Sequence, residues 1–302
     1  MIQPHLFPNL IGIGPRRCAT TWLGRMLEQD RRFSLAYVTK KEPHLFSSIL
    51  PRHGMSGLQD AYSSDDRKSY RCDFTPTYIG FTKSEIKAIK RLSPEAKIII
   101  FKRDPVQRVI SCLMRERKFE KDGANFKRGR LEEFLYLNSG LCRRENEKMI
   151  SPHDWERIWE SQAIFHVDFY DVKTTPNTLL TDFSKFMDID KLDVPKKSKK
   201  PTNISSDFTV TVHEANRIAL LTLWLKRTNK AALKEQPHIK LWSEEWQKQL
   251  ATFPNLSLRK KVQNNLIVNI TEIHYAIYTF ARYIKGILRA RKLNEIAKNI
   301  GA

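Results

Sequence analysis

The chain lacks a run of eighteen apolar residues anywhere in its 302 positions, so nothing in it reads as a membrane-spanning helix. Its first residues, Met1-Ile2-Gln3-Pro4-His5-Leu6-Phe7-Pro8, carry neither a basic n-region nor an apolar h-region, and the expectation is a soluble, unexported, cytoplasmic protein. Cysteine is sparse. Cys18, Cys72, Cys112 and Cys142 lie far apart with no Cys-x-x-Cys pair, which excludes a recognisable zinc knuckle and suits a reducing compartment. Also missing is Gly-x-x-x-x-Gly-Lys-Ser/Thr, the signature of a nucleoside-triphosphate P-loop. Acidic residues are outnumbered, 33 against 53 Lys and Arg, leaving a formal net charge of +20. A charge of that size admits nucleic acid, an anionic membrane or an acidic glycan as partner and cannot choose among them.

What is present is a 41% hydrophobic composition sufficient for one large core or two modest ones. Short apolar strands alternate with helical periodicity through the first two-thirds of the chain. Strands are predicted at 10–13, 33–37, 70–74, 97–102 and 163–168, and helices at 20–29, 82–92, 105–117 and 175–188. Between them lie a loop at 38–50 and an irregular basic segment at 118–150. Alternation of this kind implies an α/β fold, a P-loop-like parallel sheet with helices on both faces and ligands at the carboxyl ends of its strands.

Past residue 208 strand signals cease, so the expected division is an α/β domain over 1–207 and a helical region over 208–302, with Trp224, Trp242 and Trp246 as its bulk. Its clearest feature is a stripe of Leu266, Ile270, Ile273, Ile277, Phe280, Ile284, Ile287 and Leu288, spaced for one amphipathic helix of about thirty residues. The stripe is expected to pack on the catalytic domain or on a second copy of the chain. A membrane-surface helix is the alternative, with Lys285, Arg289, Arg291 and Lys292 meeting anionic lipid.

Two segments about ninety residues apart share one design, an apolar strand running into a cationic turn and then a helix. They are Gly14-Pro15-Arg16-Arg17-Cys18-Ala19-Thr20-Thr21-Trp22-Leu23 and Ile98-Ile99-Ile100-Phe101-Lys102-Arg103-Asp104-Pro105-Val106-Gln107-Arg108-Val109-Ile110-Ser111. A helix N-terminus presents unpaired N–H groups and a partial positive charge, so each turn suits an anion. In order and together, the two resemble the PAPS-dependent sulfotransferase family, whose 5'-phosphosulfate loop Lys/Arg-x-Gly-Thr-Thr-Trp precedes a 3'-phosphate motif Arg-Asp-Pro-x-x-Arg-x-x-Ser. The resemblance extends over about the first 205 residues and is closest to the glycan, heparan-type and bacterial branch. Lys40-Lys41-Glu42-Pro43-His44-Leu45-Phe46 looks like that branch's Lys-Glu-Pro-His-Phe-Phe segment. Asp73-Phe74-Thr75-Pro76-Thr77-Tyr78 looks like its Glu-Lys-Ser/Thr-Pro-x-Tyr segment, and Phe165 to Val172 like its late strand.

The resemblance implies sulfuryl transfer from PAPS, with PAP as product and no metal, to a hydroxyl of a carbohydrate, glycolipid or small metabolite. Arg16, Arg17, Cys18, Ala19, Thr20, Thr21 and Trp22 are the implied contacts to the 5' side of the donor, Trp22 by stacking on adenine. Arg103 and Ser111 are the contacts to the 3'-phosphate, with Lys199 or Lys200 as a further candidate. Arg17, which cannot release its proton, stabilises the leaving oxygen as a fixed charge. Glu42 is the first choice of base and His44 the second; from spacing alone, Glu42 pairs with Lys40 or Lys41. Asp104 and Arg108 read as structural around the helix that starts at Pro105.

Two departures stand out. Ala19 occupies a position where the family prefers glycine, at a cost of roughly 1 kcal/mol or more if the loop is left-handed. Phe74 occupies the place of a sulfate-contacting lysine in several glycan enzymes. A nucleotide kinase is disfavoured by the missing Walker lysine and metal-binding aspartate, and a nucleic-acid-binding role is supported by charge alone.

Overall fold

The computed structural model describes residues 7–35, 42–61, 70–105, 107–109, 111–112, 143–192 and 258–301. They fall into two compact units: Met1–Arg103 with Pro152–Asn203 and Ala281–Ala302, and Asp104–Ser151 with Ile204–Phe280. The boundary expected at residue 207, the three tryptophans beyond it, Lys199 and Lys200 all lie outside the described residues.

The first unit is built on five parallel strands, β1 (Leu10–Ile13), β2 (Phe33–Leu35), β3 (Tyr70–Asp73), β4 (Lys97–Lys102) and β5 (Ile164–Asp168), in the order β2-β3-β1-β4-β5. The fold is α/β, as the alternating pattern implies. Strands covered on both faces read as unbroken apolar runs, and Ile98, Ile99, Ile100 and Phe101 are accordingly all fully buried. From β1 the chain turns toward β2 on one side, and from β4 toward β5 on the other. The connections therefore diverge at the carboxyl ends of β1 and β4, the point where sheets of this kind open a crevice.

Helix α1 (Thr20–Glu28) follows β1, and α4 (Lys83–Leu92) leads to β4. Between them come α2 (Leu50–His53) and α3 (Ser56–Ala61). The expected loop at 38–50 is helical in its second half: a π-helical turn at Leu45–Ile49 runs into α2. Sequence periodicity missed it because the N–H groups at its start are held by a distant segment, not by a local cap. The second unit corrects the irregular segment likewise, since Glu145–Ile150 forms α5 with acidic residues in its first turn. There Arg108, fully buried, donates to Asn146 Oδ1 at 2.5 Å and Glu145 Oε2 at 3.0 Å, while Asp104 Oδ1 accepts from the Gln107 N–H at 2.7 Å. Both residues are structural, as expected. The first unit is completed by α6 (His153–Ile158), α7 (Phe169–Thr174) and α8 (Pro176–Met187).

The C-terminal helix α9 (Leu258–Asn299) spans 42 residues, longer than the stripe suggested. Its exposed face is the stripe itself: Leu266, Ile270, Ile273, Ile277, Phe280, Ile284 and Leu288 are each 43–68% exposed. Ile284 and Leu288, the exposed stripe residues of the first unit, are thus not packed against it. In the first unit the helix buries small residues on its other side instead, Gly286, Ala290 and Ala297, with Leu293. A Cβ on Gly286 would come within 2.7 Å of Thr82 Cγ2, so close approach selects glycine, which a search for large apolar residues overlooks. Arg289, grouped above with lipid-facing cations, is buried and pairs with Glu85, which also closes the capping box of α4 through the Thr82 N–H at 2.8 Å. In the second unit Arg143 makes two 2.9 Å bonds to Glu272 and lies over the Tyr275 ring, whose hydroxyl donates to Glu147.

Removing one partner of a buried ion pair leaves the other uncompensated. Arg289→Ala is therefore expected to cost about 3 kcal/mol in chemical denaturation, whereas Lys285→Ala, on an exposed position, stays within about 0.5 kcal/mol.

Candidate active site

The loop after β1 turns through two left-handed residues, Arg17 at φ 73° and Ala19 at φ 70°. The left-handed backbone anticipated at Ala19 is present, in a residue with a Cβ. It lets α1 begin abruptly: Ala19 caps the helix with no side chain and there is no acidic residue in the first turn. The helix N-terminus thus keeps its positive character. Cys18 is fully buried and Thr20 nearly so, while Arg16, Arg17 and Thr21 are half-buried. Trp22, at 5% exposure, is part of the packing around α1.

The carboxyl end of β4 delivers Arg103 to the same place. Its Nη1 donates to the Arg17 carbonyl at 2.8 Å, and its guanidinium lies 3.9 Å over the Phe169 ring at the start of α7. The first arginine of the second motif therefore braces the loop of the first. Ser111 is buried in the helical stretch of the second unit.

Phe74 is fully buried and packs on β1, where a Cβ on Gly12 would meet its ring at 2.1 Å; beside it Phe101 packs edge-on, with a ring centroid 6.1 Å away. Its side chain fills the sheet's covered face, and the role of a sulfate-contacting lysine is absent from this position.

Glu42 and His44 flank Pro43 on the segment before the π-helical turn, both half-buried. His44 is left-handed at φ 55° and its Nδ1 lies 3.3 Å from Ser47 Oγ. Lys40 and Lys41, the pairing partners weighed for Glu42, lie outside the described residues. Behind this segment stands a group to whose residues the sequence attached no role, although they lie in the family-like segment Asp73–Tyr78. Asp73, at the end of β3 and fully buried, accepts from Thr75 Oγ1 at 2.6 Å and from Tyr78 Oη at 2.5 Å. Burial pushes the Asp73 carboxyl up to about 7, outweighing the hydroxyls and the backbone N–H groups of Thr75 and Leu45 that favour its ionised form. Its signal was an acid, a hydroxyl and a phenol in Asp-x-Thr-x-x-Tyr spacing just past a strand.

The sequence pattern of the Sulfotransferase family matches residues 55–193. The bifunctional heparan sulfate N-deacetylase/N-sulfotransferase 1 of Caenorhabditis elegans is 27% identical over 192 residues, 60% of this chain. Over these stretches the chain resembles the sulfotransferase family. It spans only 22% of that relative's length. The crystal structure of a sulfotransferase from Alicyclobacillus acidocaldarius shares the fold, with a TM-score of 0.52 and 18% identity over 78% of this chain and 99% of the other. The matched segment contains Arg103 and Ser111, whereas the Arg17 loop and Glu42 lie upstream of it. Among the described residues no helix is long and apolar enough to cross a membrane, and no three His, Cys, Asp or Glu side chains gather as a metal site.

Proposed function

We propose that this chain is a sulfotransferase that moves a sulfuryl group from PAPS to a hydroxyl of a carbohydrate or glycolipid. The observation that carries the donor assignment is the Arg103–Arg17 contact, which joins the two cationic turns at the diverging ends of β1 and β4. A helix start with no side-chain cap and no acidic residue in its first turn, with arginines beside it, fits a 5'-phosphosulfate, and Arg103 with Ser111 is assigned the 3'-phosphate. Sulfuryl transfer needs the acceptor oxygen in line and charge on the leaving phosphate neutralised. Arg17 supplies a fixed positive charge there, with Thr20 and Thr21 as hydroxyl donors. Glu42 takes the acceptor's proton, and His44 is assigned to acceptor binding. Cys18 shapes the donor side by packing, and Trp22 is assigned to stack on adenine.

A glycan acceptor is supported by the relative that acts on heparan sulfate and by the Glu42-Pro43-His44 segment. A small metabolite is the alternative acceptor. Thermal shift with PAP, ATP and duplex DNA tests the reading against the kinase and nucleic-acid alternatives. PAP at about a hundred times its Kd adds about 2.7 kcal/mol, and ATP or DNA stabilising more than PAP overturns the donor assignment.

The open stripe on α9 is assigned to a partner, a second copy of the chain or an anionic membrane. Because Ile277 is 67% exposed, Ile277→Asp is expected to keep the melting temperature. Loss of mass in light scattering identifies the second copy, and loss of sedimentation with anionic vesicles identifies the membrane. Retention of both removes the stripe as an interaction surface.

A further inference from the structure

A helix leaves its first backbone N–H groups without partners, and where the start is buried each must find an oxygen elsewhere. The turn after Glu42 and Pro43 solves this with one short segment. The His44 N–H donates to Thr75 Oγ1 at 3.1 Å and the Phe46 N–H to Tyr78 Oη at 3.0 Å, and the Leu45 N–H between them favours the charge on Asp73. Two donors of the turn thus take two hydroxyls, and Asp73, which both hydroxyls share, lies within the same six residues of chain. The two hydroxyls are oriented for this because each spends its own proton on Asp73, at 2.6 and 2.5 Å. A hydroxyl that donates to a carboxylate turns its lone pairs toward the incoming N–H. Asp73, Thr75 and Tyr78 are all 0% exposed, so water does not substitute for any of them.

The cradle controls a left-handed residue and, through it, the residue before the proline. His44 sits at φ 55°, ψ 31°, a conformation that a non-glycine holds only when its surroundings impose it. Pro43 has its own φ locked and confines Glu42 to extended backbone. Few soft dihedrals remain between the anchored His44 N–H and the Glu42 side chain. The place of the carboxylate follows from the cradle.

We propose that Asp73, Thr75 and Tyr78 are positioning residues that hold Glu42 and His44 against the acceptor, with Asp73 as the hub that aims both hydroxyls. The proposal rests on the reading of Glu42 as the base. These side chains touch neither donor nor acceptor; they act through the turn at residues 44–46. Tyr78 therefore owes its place to its hydroxyl as well as to its ring, which packs on Phe46 and Phe81 with centroids 5.7 and 5.0 Å away.

The test uses the full chain with PAPS and an acceptor found by screening, and reads kcat, acceptor KM and, separately, PAP affinity by calorimetry. Tyr78→Phe and Thr75→Val, which keep the packing, are expected to lower kcat about tenfold to a hundredfold, the scale of a base displaced by about 1 Å. PAP affinity stays within about twofold, and Thr75→Ser restores turnover relative to Thr75→Val. Asp73→Asn follows the same pattern; if that variant does not fold, the two hydroxyl variants decide. The distinguishing result is non-additivity: Tyr78→Phe on a Glu42→Gln background slows turnover by no more than about twofold further, because a misplaced base that is already disabled has nothing left to lose. Full turnover in Tyr78→Phe and Thr75→Val alongside a disabled Glu42→Gln overturns the cradle and leaves the base reading standing. A multiplicative loss in the double variant also overturns it, reducing the three residues to general support of the fold. Full turnover in Glu42→Gln overturns the base reading itself, which is a separate outcome.

Discussion

Glu42→Gln is expected to bind PAP as the parent does and to turn over about a hundredfold to ten-thousandfold more slowly. The substitution keeps the side chain's shape and its hydrogen bonding while removing its basicity, so the loss falls on the step in which the acceptor hydroxyl gives up its proton. His44→Asn is the companion measurement. His44 shares the same turn, but its Nδ1 is engaged near Ser47 and its left-handed backbone is an anchor of the cradle. Its substitution is expected to raise acceptor KM more than it lowers kcat. If His44→Asn abolishes turnover while Glu42→Gln retains it, histidine is the base, and the case for a glycan acceptor weakens with it.

Ser111→Ala and Arg103→Ala are expected to reveal the donor. Charge-assisted bonds to a phosphate contribute roughly 1.5–3 kcal/mol each, so loss of either weakens PAP by about tenfold to a hundredfold or more. Ser111→Ala leaves affinity for adenosine 5'-phosphosulfate nearly unchanged, because that ligand has no 3'-phosphate. Arg103→Ala is less selective. Arg103 also holds the Arg17 carbonyl at 2.8 Å, so its removal loosens the 5'-phosphosulfate loop and costs the smaller ligand some affinity as well. Isothermal calorimetry with both ligands separates the two behaviours, and equal losses for both ligands at both positions sink the 3'-phosphate assignment.

The parallel sheet was legible in the chain because strands buried on both faces must be apolar at every position. Leu10–Ile13 and Lys97–Lys102 coincide with the predicted strands for that reason. The two cationic turns were legible because strand, turn and helix signals are all local. Helix ends held from afar were not. The turn at Leu45–Ile49 begins on a left-handed histidine with no cap of its own, and α5 owes its neighbours to Arg108, thirty-seven residues upstream of Glu145.

By itself, then, the sequence determined the order of the strands and the two cationic turns that follow β1 and β4, since each depends on neighbouring residues and on spacing. Tertiary structure decided the rest. It turned Arg103 onto the loop of Arg17, filled the place of a familiar lysine with a buried Phe74, and left the large apolar face of α9 open while docking its glycine and its Arg289. It also brought Thr75 and Tyr78, both bonded to Asp73, against the N–H groups of His44 and Phe46. These are pairings between residues about thirty to two hundred apart, and spacing along a chain carries no information about which distant groups will share a buried hydrogen bond until the sheet has brought them together.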